Sequence, residues 1–306
     1  MKNISLPSKA FPFSLDLCLQ SGQSFAWRND HGFWVGTIRK TGFVIRQAEG
    51  GIQYVTSKTS EPPSCMLKHY FALNEDGKAI VKQFPLDPIL RASVQFCPGL
   101  RILHQDPWEC LAGFILSSAK QIVHIEQIWQ KISRRWGSPL KIPLTSSILE
   151  RKGEGCGHFN RWPQLYSFPG PQKIANLSES DLRSCSLGFR SPYLLAAARE
   201  IARGKLSLEL LRKMSTKEAR KRLMMLKGVG QKIADCVLLF SLEKTDAFPV
   251  DTWILKVLRH LYFRNKRKIT PRKLRDFADS YFGIYGGYAQ QYLFHYARMN
   301  PQLFKD

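Results

Sequence analysis

The feature that most restricts the fold is a pair of glycines, Gly228 and Gly230, set between two runs of helical periodicity in MSTKEARKRLMMLKGVGQKIADCVLLF. Ser215 and Glu218 form an S-x-x-E capping box, so a helix starts there and runs to about Leu226. Lys227-Gly228-Val229-Gly230 then breaks it, because glycines reach backbone angles closed to other residues. The break also leaves N–H groups bare at the start of the next helix, where a phosphate can sit. In that second helix Ile233, Cys236, Val237 and Phe240 recur at i, i+3, i+4 and i+7 and define a buried stripe. Lys232 stands in its first turn, four residues before Cys236 and on a neighbouring part of one face. The helix ends near Glu243, and Phe248-Pro249-Val250-Asp251 leads into a third helix from about Thr252, with Asp251 at the N-cap. The segment is a helix-hairpin-helix.

Charge identifies the kind of partner such a hairpin meets. Against 24 acidic residues stand 46 Lys and Arg, and the excess of +22 is spread along the whole chain. A phosphate backbone rewards such a surface through counterion release, although a basic balance also serves solubility alone. Aromatic residues at 12% and a hydrophobic fraction of 44% exclude a disordered chain, and 306 residues suffice for two packed domains. No apolar run reaches the roughly 18 residues that span a bilayer, and the N-terminal sequence lacks a secretion signal, so an intracellular protein without membrane contact is expected. The cysteines (Cys18, Cys65, Cys97, Cys110, Cys156, Cys185, Cys236) are odd in number, scattered and without a CxxC pair, which reads as free thiols in a reducing compartment. None follows Cys236, so the closely spaced quartet that holds an iron-sulfur cluster is absent. No metal and no cofactor are expected, and the chain reads as a monomer.

The periodicity changes once along the chain. From Phe33 to Val55, β-branched and aromatic residues alternate between turns at KTG and EGG, the pattern of a strand meander. Beyond Pro98, segments such as Pro107 to Trp136 carry apolar residues at helical spacing, with a Gly-, Pro- and Ser-rich loop at 137–175. The reading is α+β: an N-terminal antiparallel β-sheet domain over 1–98, then a mostly helical domain over 99–306.

GVGQKIADC, followed nineteen residues after the lysine by the aspartate of FPVD, resembles the helix-hairpin-helix DNA glycosylase superfamily. Within it the chain is similar to the 8-oxoguanine DNA glycosylases, through SGQSFAW (21–27), RILHQDPWECLAGFILSS (101–118), LGFRSPYL (187–194) and GGYAQQYLF (286–294) as well as the hairpin. The resemblance spans nearly the whole chain and implies base-excision repair of damaged double-stranded DNA by a glycosylase that also nicks the strand.

Cleaving a purine glycosidic bond develops positive charge on the sugar, so a nucleophile and a carboxylate are needed. Lys232 and Asp251 fit those roles. Because a free lysine is almost wholly protonated at neutral pH, the pocket has to favour the amine. An amine nucleophile passes through a Schiff base, from which β-elimination breaks the strand. By the resemblance, Phe294 and Cys236 sandwich the flipped base, Gln290 contacts its pairing edge, and the Gly22 carbonyl accepts the ring N–H that distinguishes 8-oxoguanine from guanine. Arg190 reaches the estranged cytosine, Phe189 wedges beside it, and Gly228, Val229 and Gly230 bind backbone phosphate through main-chain N–H groups.

Plainer roles stand beside these: a phosphate contact for Lys232 or Arg190, a helix cap for Asp251, core packing for Phe294 and Cys236, a turn for Gly22. The chain also departs from the pattern it resembles. Ala119-Lys120-Gln121 and His124 stand where the pattern has residues that fill the vacated duplex and read the opposite base, which leaves the preference for cytosine open. Lys227 replaces a proline before GVG, and Trp253 replaces a histidine beyond Asp251, which keeps alkylated and other oxidised purines open as substrates. A non-catalytic helix-hairpin-helix DNA-binding protein would need the hairpin but not the pairing of Lys232 with Asp251. A nuclease is disfavoured, since no carboxylate cluster suits two metal ions.

Overall fold

Alternating apolar residues build a five-stranded antiparallel sheet from β1 (Lys2–Ser5), β2 (Trp27–Asp30), β3 (Phe33–Ile38), β4 (Thr41–Ala48) and β5 (Gly51–Thr56), in the order β1-β5-β4-β3-β2. The computed structural model describes residues 1–6, 12–118, 121–143, 164–263 and 269–304. The side-chain period of two sends Phe43, Ile45, Ile52 and Tyr54 into one core, and Phe33, Val35 and Val44 to the opposite face. The turn expected at Lys40-Thr41-Gly42 is made instead by Arg39 and Lys40, with Arg39 at φ 54°, and Gly42 lies inside β4. A Cβ on Gly42 would come within 3.3 Å of the Leu165 side chain, so the strand packs closely there.

The N-terminal part holds more helix than its strand pattern announced. Besides α1 (Leu15–Gln20) it carries α2 (Pro63–Tyr70), α3 (Gly77–Lys82) and α4 (Pro88–Phe96). Proline at the first turn of α2 and α4, and the Asp76 and Asp87 side chains capping α3 and α4, start these helices. Met66, Leu67 and Tyr70 of α2 close the core on the sheet.

Helices dominate the rest of the chain. They are α5 (Pro107–Leu116), α6 (Ile122–Trp136), α7 (Pro171–Ala175), α8 (Glu179–Ser184), α9 (Ser191–Ala202), α10 (Leu208–Lys213), α11 (Thr216–Met224), α12 (Gln231–Ser241), α13 (Thr252–Val257), α14 (Pro271–Phe282) and α15 (Gly286–Met299). The expected loop at 137–175 contains α7 and a two-stranded ladder of β6 (Pro139–Leu140) and β7 (Leu165–Tyr166), while 144–163, including Cys156, lie outside the described residues. The six described cysteines are free. Among the described residues no helix is long and apolar enough to cross a membrane.

A second core gathers α5, α6, α12, α14 and α15, and takes in Ile80, Leu90 and Cys97 from the N-terminal part. Between the two cores runs a buried polar seam. Gln23, fully buried, donates to the Arg101 carbonyl at 2.8 Å and to Ser21 Oγ at 2.9 Å, and accepts from the Leu103 N–H at 2.9 Å. Gln105 donates to the Gln23 carbonyl at 2.7 Å, and Gln291 of α15 donates to the Ser21 carbonyl at 2.9 Å. The loop between α1 and β2 is thereby locked to the helical part. Replacing Gln23 with Leu strands the Leu103 N–H and the Arg101 carbonyl away from water. We expect Gln23→Leu to destabilise the protein by about 2–4 kcal/mol, since each buried unpaired group costs roughly 1–3 kcal/mol; urea unfolding followed by circular dichroism measures the change.

Candidate active site

The hairpin forms as its local code dictates. Ser215 and Glu218 make the reciprocal capping box of α11, which ends two residues before Leu226. Gly228 takes φ 84°, and Gly230 is the N-cap of α12 with no side chain in that role, so the first N–H groups of α12 meet no capping side chain. Val229 between them is buried. Arg220 of α11 clamps Asp235 of α12 through Nε–Oδ1 at 2.5 Å. Burial pushes the Asp235 carboxyl up to about 6 despite the guanidinium, and Asp279 of α14 adds to the rise.

Along α12, Ile233, Cys236, Val237 and Phe240 are buried as the stripe predicted, and Lys232 emerges at the first turn. Its Nζ lies 5.1 Å from the centroid of the Phe114 ring on α5. Asp251 caps α13 by accepting from the Ile254 N–H at 2.8 Å. Burial raises the Asp251 carboxyl above its ordinary value, a rise that the Ile254 N–H and the charge of Lys232 partly offset.

These two groups face one cavity of about 1030 Å³. Gly22 and Phe294 line it too, and so do Ser117 and Ser118 after α5, the first turn of α6, Trp253, Arg275 and Arg298. Gly22 sits at φ 78°, and a Cβ placed there would be 3.6 Å from Phe294 Cε1, so the loop backbone is laid directly against that ring. Four predicted residues, Gly22, Lys232, Asp251 and Phe294, therefore converge. Cys236 and Gln290 are not in the lining. Both are buried, Cys236 with its thiol pushed up to about 12 by desolvation, Gln290 with its Oε1 lacking a hydrogen-bond partner.

Phe189 and Arg190 occupy a short 3-10 turn, Gly188–Arg190. Phe189 is 53% exposed, whereas Arg190 is buried, its guanidinium 4.2 Å from the Phe189 ring. It donates to the carbonyls of Leu187, at 3.2 Å, and Ser118. His124 is exposed on the first turn of α6; Ala119 and Lys120 lie outside the described residues. Reading the sequence missed Phe114, Arg275 and Arg298. Arg298 follows Phe294 by four residues on one helix, a spacing that could have flagged it.

Comparison with known proteins places the chain in a family. The family model of the HhH-GPD superfamily base excision DNA repair protein matches residues 112–280, and the chain belongs to that superfamily. Residues 5–111 match the model of the 8-oxoguanine DNA glycosylase N-terminal domain. The Clostridium acetobutylicum 8-oxoguanine glycosylase/lyase, solved with double-stranded DNA containing cytosine opposite 8-oxoG, is 32% identical, with a TM-score of 0.83 over 98% of this chain and 99% of that one. A probable N-glycosylase/DNA lyase of Methanothermobacter thermautotrophicus is 28% identical over 95% of both chains. The N-glycosylase/DNA lyase OGG1 of Arabidopsis thaliana is also 28% identical, over 92% of this chain and 76% of its own.

The two hairpin glycines differ in what they tolerate. A Cβ on Gly228 would fall 2.3 Å from the Tyr193 ring and force a left-handed alanine, whereas Gly230 has open space and φ −86°. Gly228→Ala should cost about 1–3 kcal/mol of stability and weaken duplex binding, and Gly230→Ala should cost less than about 1 kcal/mol. Thermal denaturation with fluorescence anisotropy on labelled duplex separates the two.

Proposed function

We propose that this chain excises 8-oxoguanine from duplex DNA and nicks the strand at the same site, with Lys232 as nucleophile and Asp251 as the carboxylate that stabilises the sugar cation. The observation that carries this reading is the facing of Lys232 and Asp251 into one cavity whose far walls are Gly22 and Phe294. Lys232 Nζ attacks C1′, the bond to the purine breaks, and the base leaves with the electron pair. Opening of the sugar ring gives a Schiff base. Loss of a C2′ proton then expels the 3′ phosphate by β-elimination.

The flipped base stacks on Phe294, and the Gly22 carbonyl accepts the N–H that guanine lacks. Gln290, one helical turn before Phe294 and with an unpartnered Oε1, supplies a pairing-edge contact, and Cys236 completes the sandwich of the base opposite Phe294. The turn of Gly228, Val229 and Gly230 holds a backbone phosphate through the N–H groups of the two glycines, the Val229 N–H being donated to the Leu226 carbonyl; the exposed Phe189 enters the duplex, and His124, with Arg190 once it leaves the Ser118 carbonyl, meets the opposite base. In this reading residues 1–98 bring Gly22 to the cavity and residues 99–306 carry the chemistry. The enzyme works as a monomer inside the cell, without an iron-sulfur cluster. Trp253 in the cavity lining favours a second substrate class, since an electron-rich ring beside Asp251 stacks well on a cationic alkylated purine.

Incubation with duplexes carrying 8-oxoguanine opposite each of the four bases, or an alkylated purine, with resolution of intact, abasic and nicked strands, tests substrate and lyase together. Lys232→Gln should abolish the borohydride-trapped adduct; trapping at undiminished yield would remove Lys232 from the nucleophile role. Asp251 acts as a carboxylate, so excision falls as pH drops through its raised pKa. The acid limb of kcat/KM should then lie above the ordinary aspartate range near 4, and Asp251→Asn should lower the rate and erase that limb.

A further inference from the structure

Outside the cavity, His69, His104 and Glu243 bring one ligand atom each to within 4.8 Å of one another. The three come from separate parts of the chain: the last turn of α2, the 101–106 connector, and the residue after the C-cap of α12. Backbone bonds pin them together. The His104 N–H donates to the Tyr70 carbonyl of α2 at 2.9 Å, and the Gln105 N–H to the Phe240 carbonyl of α12 at 2.8 Å. The His69 and His104 rings lie 5.1 Å apart, at the edge of a second cavity of about 230 Å³.

Two observations distinguish this cluster from an accidental meeting of surface groups. First, His104 Nε2 lies 3.1 Å from Glu75 Oε1, with the His104 side chain only 9% exposed. A carboxylate behind a histidine fixes the tautomer and frees the other nitrogen as a ligand, the arrangement that orients zinc-binding imidazoles. Second, Glu243 holds φ 58°, a left-handed position that glycine or asparagine ordinarily takes after a helix. A long acidic side chain kept there at a backbone cost points to a task for its carboxylate.

We propose that His69, His104 and Glu243 form a binding site for Zn²⁺ that staples the C-terminal end of the Lys232 helix to the N-terminal part of the molecule. Two imidazoles and a carboxylate are a zinc-type donor set, and water from the adjoining cavity completes four-coordination. Tetrahedral zinc holds its ligand atoms about 3.3 Å apart, a contraction that rotation of the exposed His69 and Glu243 side chains supplies. Arg212 pairs with Glu243 Oε1 and leaves Oε2 for the metal. Arg39, the other cation bordering this face, is paired with Glu61 at 3.5 Å and Asp106 at 3.7 Å. The positive end of the pair formed by metal and helix is well placed, since a helix C-terminus favours cations. Cysteine spacing gives no hint of this site, because its ligands are separated by 35 and 139 residues.

The test is calorimetric titration of the full chain, stripped with a chelator, with Zn²⁺, and with Co²⁺ read by its visible absorption. One ion per chain, a higher Tm with Zn²⁺, and roughly a 10–100-fold weaker affinity in Glu75→Gln are expected, with saturable binding lost in His104→Ala. His69→Ala, at an exposed position, provides the same loss without disturbing the core. The absence of saturable binding would overturn the proposal. So would unchanged affinity in the His69→Ala/His104→Ala pair, or a loss seen only in Cys65→Ser, which would place the ion on the neighbouring thiol.

Discussion

The cavity wall that Gly22 forms rests on the buried amide seam around Gln23. A backbone loop cannot serve as a recognition wall unless its position is fixed to a fraction of an ångström, and loops without internal hydrogen bonding are not fixed that well. Here the loop carrying Gly22 has its neighbours held from both sides: Gln291 takes the Ser21 carbonyl, and Gln23 spans to Arg101 and Leu103. In a low-dielectric interior such bonds are costly to leave unmade, so the network behaves as a single latch. Its effect is to set one glycine against one phenylalanine ring.

The hairpin brings Lys232 to the same cavity through helix geometry. Gly228 and Gly230 set the angle between α11 and α12, the Arg220–Asp235 pair holds it, and Lys232 is left at the first turn of α12, beside the cavity. The Asp251 cap uses one carboxylate oxygen for the Ile254 N–H. One side chain thus both caps α13 and lines the cavity. With a charge of +22 on the whole molecule, Arg275 and Arg298 add a cationic lining suited to a strand that enters with its phosphates.

What the sequence made legible was local. The capping box at Ser215, the glycine turn, the stripe on α12 and the cap at Asp251 are each encoded within about one or two helical turns, and each stands where the residues placed it. The meander was legible too, although its first turn falls at Arg39 and Lys40, with Ile38 paired to Thr41 and Gly42 inside the strand. Long-range facts were not legible. Nothing in LGFRSPYL announces that Arg190 is folded inward onto the Ser118 carbonyl, and no spacing reveals that Gln291 answers Ser21. The helices between residues 63 and 96 were hidden because their caps are single aspartates and prolines without long periodic runs. Arg275 carries no local signal of its place in the cavity lining, which depends on how its helix is folded.

The partners in the latch at Ser21 and Gln291 lie 270 residues apart. During synthesis the hairpin and its lysine are complete well before α15 can close over the loop at residue 22, and contacts of such separation form late. A growing chain therefore owns a DNA-binding hairpin before it owns a pocket. The wall that Phe294 and Arg298 give the cavity arrives only with α15.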